Sequence, residues 1–152
     1  TTEIYTLSLH DALPISRCPL PNFCPRMTSH FLEVQRELPG RPDAPERWRL
    51  LTVSFDPEHD SPAVLRAYAT QHGCDPDRWL FATGAREELD ALMEQFGLSY
   101  GRLGETFDHN LRTVVVDPDG RIRRILVGNE WQPAELVSAM VAAGRPTARR
   151  EE

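Results

Sequence analysis

Arg112 to Val127 reads RTVVVDPDGRIRRILV. Two β-branched, apolar runs, Arg112 to Val116 and Arg121 to Val127, flank Asp117-Pro118-Asp119-Gly120. Val and Ile suit a pleated, half-buried surface, while Pro and Gly stand where a tight reversal needs a fixed φ and then a free one. The stretch predicts an antiparallel hairpin. Downstream, Gln132-Pro133 opens a helix that turns Leu136, Val137, Met140 and Val141 inward.

Upstream of the hairpin, the same reasoning predicts alternating elements. Pro25 leads Met27, Phe31, Val34 and Leu38 at helical spacing, with Pro where a missing N–H costs nothing, and Pro39-Gly40 stops the helix. Leu50 to Phe55 is a buried strand ended by Asp56-Pro57. Ser61 caps and Pro62 begins a second helix, with Val64, Leu65, Tyr68 and Ala69 as its inner stripe and Gly73 at its close. Trp79 to Ala82 is a short strand. A third helix follows Gly84, with Leu89, Leu92, Met93 and Phe96 on one face and Gly97 as its C-cap. Strands alternating with helices imply a layered α/β domain.

A terminal hairpin plus helix, with a cysteine-bearing loop opening the first helix, resembles the three-layer thioredoxin fold. In that fold a strand precedes the position of Cys18. The residues there, Thr1 to Ser16, read TTEIYTLSLHDALPIS. They are identified as one reading frame of a common sequencing adapter, continuing through Ile15 with Ser16 as the junction codon. Such scars are set aside before the fold is read. The expectation is therefore a thioredoxin-like domain over 17–144 that lacks its first core strand, with 1–16 non-native and 145–152 a polar tail. The resulting unpaired backbone beside the site predicts an unstable fragment.

The chain of 152 residues carries a net charge of −6. A mildly acidic surface argues against nucleic-acid binding. No apolar run approaches the ~20 residues needed to span a bilayer. Three cysteines do not make a secreted disulfide framework, which would use an even number. Cys74, after Gly73, reads as a small buried apolar residue. Cys18 and Cys24 lie close together in CPLPNFCP, and His109 follows Asp108 just before the Thr113-to-Val116 run. Two thiols and one imidazole are the makings of a soft-metal or redox site. Cys24 sits at a helix start, where unpaired N–H groups and the dipole favour thiolate.

Several pieces together resemble the Sco/SenC family of thioredoxin-fold copper proteins. They are RCPLPNFCPRM, TVSFDPEHDSP with LRAYA after it, WLFATG, FGLSY and DHNLRTVVVDPDGRI. They cover nearly all of 17–143. The resemblance implies a metallochaperone for the copper centre of cytochrome c oxidase, with copper held by Cys18, Cys24 and His109. It implies the oxidase's copper-bearing subunit as partner. It also implies an extracytoplasmic, periplasmic location, with a membrane anchor upstream of the residues present. The chain departs from the family in one respect: five residues separate the cysteines where the family has three.

Two sulfurs and one nitrogen make a trigonal set for Cu(I), whereas Cu(II) would want a further oxygen or water. Asp108 is placed to orient His109. The alternative is a thiol–disulfide oxidoreductase acting through Cys18 and Cys24 by mixed-disulfide exchange on the oxidase subunit or other extracytoplasmic proteins. A general thioredoxin-like reductase carries a proline opposite its cysteines. No proline falls between Pro76 and Pro118, and His109 stands about where it belongs, which favours metal. The peroxiredoxin motif is not matched, and structural zinc wants four ligands. His59, within DPEHD, reads as part of a polar turn. His30 is expected to be partly exposed, His72 to end a helix, and Asp56 to lie at the strand end near the cysteines.

Overall fold

Buried Trp48 and Leu50 alternate with half-buried Arg49 and Leu51, as the period of a strand requires. The computed structural model describes residues 3–10, 16, 18, 22–98, 102–103, 106–107 and 111–145. Its elements, in chain order, are β1 (Ile4–His10), α1 (Cys24–Glu37), β2 (Trp48–Ser54), α2 (Pro62–His72), β3 (Trp79–Ala82), α3 (Arg86–Gln95), β4 (Arg102–Leu103), β5 (Thr106–Phe107), β6 (Arg112–Val116), β7 (Ile122–Val127) and α4 (Pro133–Gly144). A 3₁₀ turn at Leu38–Gly40 ends α1 where Pro39-Gly40 was expected to stop it.

The main sheet runs β3-β2-β1-β6-β7, and β4 pairs with β5 apart from it. β2 is parallel to β1 and to β3, whereas β6 is antiparallel to β1 and to β7. The place expected to stand empty for want of a first core strand is filled. Ile4–His10 occupies the centre of the sheet, with Thr6 opposite Leu50 on one side and Val115 on the other. The physical reason is the ladder itself: an empty slot would leave two rows of buried backbone groups unpaired. Ile4, 1% exposed, joins the core. The fit is not seamless, because the Thr6 and Thr113 hydroxyls are buried without a hydrogen-bond partner among the described residues.

Helices lie on both faces. Ile4, Leu50 and Val115 meet Met27, Phe31 and Val34 of α1 and Leu136 and Met140 of α4. On the opposite face, Val53 and Val114 meet Leu89 and Met93 of α3. α2 is tied to α1 by a hydrogen bond between the Tyr68 and Thr28 hydroxyls at 2.9 Å. Ser61 caps α2 as expected, its Oγ accepting from the Val64 N–H at 3.3 Å, and Gly73 closes it at φ 73°. Val64, placed on the inner stripe from the sequence, faces outward instead.

The hairpin reverses at Asp117–Gly120. Asp117 accepts from the backbone N–H groups of Asp119 and Arg121 and from the Arg123 guanidinium. Burial pushes its carboxyl pKa up, but those hydrogen bonds win and hold it below the usual carboxylate value. Among the described residues no helix is long and apolar enough to cross a membrane.

Candidate thiol and metal site

Cys24 is the first residue of α1, preceded by Phe23 as cap and followed by Pro25. It is 4% exposed, while Cys18 in the preceding loop is half-buried. The two side chains are within hydrogen-bonding reach, so the loop returns its thiols to one place despite the five intervening residues. Neither Cys18 nor Cys24 is in a disulfide.

The helix start does not make Cys24 a thiolate. Burial, then the neighbouring Cys18, raise its pKa far above the ordinary thiol value, and the charge of Asp60 adds to the rise. This reverses the sequence expectation. Dipole and N–H stabilisation at a helix start reaches at most about 2 kcal/mol, whereas full desolvation of an ionisable group can shift it by several pKa units.

Behind Cys24, one turn along α1, Thr28 holds the Tyr68 hydroxyl. Burial, foremost, pushes the Tyr68 phenol up to about 12, and the nearby cysteines contribute to that rise. The phenol therefore stays a neutral hydrogen-bonding group behind the thiols. His72, the last residue of α2, packs against the Tyr68 ring at 4.2 Å between centroids.

The carboxylate that reaches this site is Asp60, which the sequence reading did not single out. Asp60 is fully buried and accepts from Ser54 Oγ at 2.5 Å and from Ser16 Oγ at 2.7 Å. Asp56, the residue expected near the cysteines, is engaged elsewhere, with His59 Nδ1 at 2.9 Å from one of its carboxylate oxygens and 3.0 Å from the other. Asp56, Glu58 and His59 gather their ligand atoms within 4.8 Å of one another on the β2–α2 turn.

Asp108 and His109 lie outside the described residues. Their hairpin neighbour Leu111 is buried and accepts from the Gly128 N–H. His30 departs from expectation. It is 8% exposed, with its ring edge-on to Trp131 at 4.9 Å and Nδ1 without a partner among the described residues. Burial lowers its pKa. Cys74 behaves as expected: it belongs to the core, and burial pushes its thiol up to about 12.

Known proteins resemble this chain both in sequence and in fold. The family model described as SCO1/SenC matches residues 16–143. A SCO1 protein homolog of Bacillus subtilis (strain 168) is 29% identical over 115 residues, covering 72% of this chain and 58% of the relative. The chain thus spans less than two thirds of that relative's length. The structure described for a disulfide switch in BsSco, a member of the Sco family of cytochrome c oxidase assembly proteins, aligns at TM-score 0.73 and 25% identity over 93% of this chain and 80% of that one. Arabidopsis thaliana ScoI with copper bound shares the fold at TM-score 0.73 and 16% identity, over 93% of this chain and 83% of that one.

Proposed function

The chain belongs to the SCO1/SenC family and has its thioredoxin-like fold, and from this premise we propose that it is a copper-binding metallochaperone for cytochrome c oxidase. The observation that carries the proposal is the meeting of Cys18 and Cys24 at the head of α1, one thiol buried and the other reachable. Two soft sulfurs side by side suit copper as cargo. His109 is proposed as the third ligand, completing a trigonal set.

In this reading, Cys24 is the fixed ligand, held by the helix and the core. Cys18, on the loop, is the ligand that can be exchanged with an incoming donor. Transfer to the oxidase's copper-bearing subunit then proceeds by stepwise ligand replacement near the surface. The family premise also supports a location outside the cytoplasmic membrane, with the domain tethered to it. Residues 17–144 carry the activity, and Ile4–His10 contributes the central strand of the sheet.

The same paired thiols favour a second reading, a thiol–disulfide reductase for the recipient's cysteines. One set of variants separates the two. Wild-type protein titrated with Cu(I) is expected to bind about one equivalent. His109→Ala should lose tight copper binding yet keep disulfide exchange, and Cys18→Ser should cripple both. Unchanged copper stoichiometry in His109→Ala would refute the proposed ligand set.

A further inference from the structure

We propose that Asp60 is the positioning residue of the thiol pair: its buried carboxylate clasps the entry of the cysteine loop to the end of β2. The inference deepens the function proposed above, and rests on it only in taking Cys18 and Cys24 as the working groups.

Asp60 joins three parts of the fold. Its Oδ2 accepts from the hydroxyl of Ser54, the last residue of β2. Its backbone N–H donates to the Asp56 carbonyl at 2.8 Å, which fixes it in the turn just before Ser61, the cap of α2. Its Oδ1 accepts from the Ser16 hydroxyl at 2.7 Å and more weakly from the Ser16 N–H at 3.4 Å. Ser16 lies two residues before Cys18 and is the first residue matched by the family model. A fully buried carboxylate is costly unless its oxygens are satisfied, and here both are.

The need for such a clasp follows from the loop. Cys24 is held by α1, but Cys18 hangs on a connection five residues long. The cost of bringing two ends together rises with the length between them. Anchoring Ser16 fixes the chain two residues before Cys18. It confines that thiol near Cys24. Ser16 stands two residues from Cys18, so the clasp closes at the start of the cysteine loop.

The test reads the effective concentration of the two thiols from their equilibrium with oxidised glutathione. In that exchange the Cys18 and Cys24 thiols give up two protons and two electrons and form one disulfide. One oxidised glutathione accepts both and leaves as two thiols. Ser16→Ala in the full chain is expected to lower the effective concentration about tenfold, the scale of one hydrogen bond to a charged group. The variant leaves Oδ1 of a buried carboxylate with the weaker Ser16 N–H alone, so the reduced protein should also melt lower, and the thiol equilibrium is the deciding readout.

Asp60→Ala should lower the effective concentration at least as far, and adding Ser16→Ala to it should change nothing more, because the contact is already gone. If Asp60→Ala fails to fold, Ser16→Ala decides alone. A wild-type equilibrium in Ser16→Ala, or effects that multiply in the double variant, would overturn the assignment. Cu(I) titration of the wild type runs beside it: failure to bind copper defeats the metallochaperone reading and leaves the thiol result standing.

Discussion

Cys24 takes the first position of α1, yet it is 4% exposed and has a second thiol beside it. Its sequence context advertises a helix start and conceals the burial. The raised pKa has a definite sign: Cys24 stays protonated as pH climbs past the ordinary thiol value of about 8.5. Timed alkylation with mass mapping should therefore label half-buried Cys18 first at pH 8. Cys24 and Cys74 should lag by about tenfold or more, since the thiolate is the nucleophile. Equal rates at Cys18 and Cys24 would contradict the burial argument. The pair itself was legible from CPLPNFCP, because Pro25 marks the helix start and the loop must return. Asp60 was not legible, because DPEHDSP offers several acidic groups. The turn in which the His59 and Asp60 N–H groups both donate to the Asp56 carbonyl turns Asp60 inward, and that turn is a feature of three dimensions. His30 was misread for a similar reason: Trp131, a hundred residues away in sequence, supplies its cover.

The elements followed the sequence wherever a local signal existed. Ser61, Pro62 and Gly73 bound α2, and Asp117 to Gly120 make the reversal between β6 and β7. β1 is the exception. Ile4–His10 is a central strand, although its residues were set aside as non-native. The sheet demands backbone pairing there and is tolerant of side chains, so an Ile- and Thr-containing stretch fills the place. Thr6 records the compromise, with a buried hydroxyl that has no partner among the described residues. Thr6→Val keeps the shape and removes the orphaned group, so it should stabilise the protein by about 1 kcal/mol in urea denaturation. A loss of stability would show that the hydroxyl is satisfied. Removing residues 1–16 has the opposite consequence: it uncovers β2 and β6 together. The shortened chain should aggregate or lose its cooperative transition in differential scanning calorimetry. A sharp, high-temperature melt of 17–152 would contradict the role given to β1.

At the scale of the molecule, the layered α/β arrangement was legible because strands and helices alternate along the chain and each helix carries one apolar face. The two cores confirm it, α1 and α4 on one side of the sheet and α3 on the other. What the pattern could not supply is the meeting point, where loop, helix start and the β2–α2 turn converge on two sulfurs. That convergence is the ground for reading the domain as a carrier of copper, with His109 completing the ligand set. X-ray absorption at the copper edge of Cu(I)-loaded protein tests it most directly. The account predicts a three-coordinate site of two sulfurs and one imidazole nitrogen, with the nitrogen lost in His109→Ala. A spectrum of sulfur ligands alone, unchanged by that substitution, would contradict it.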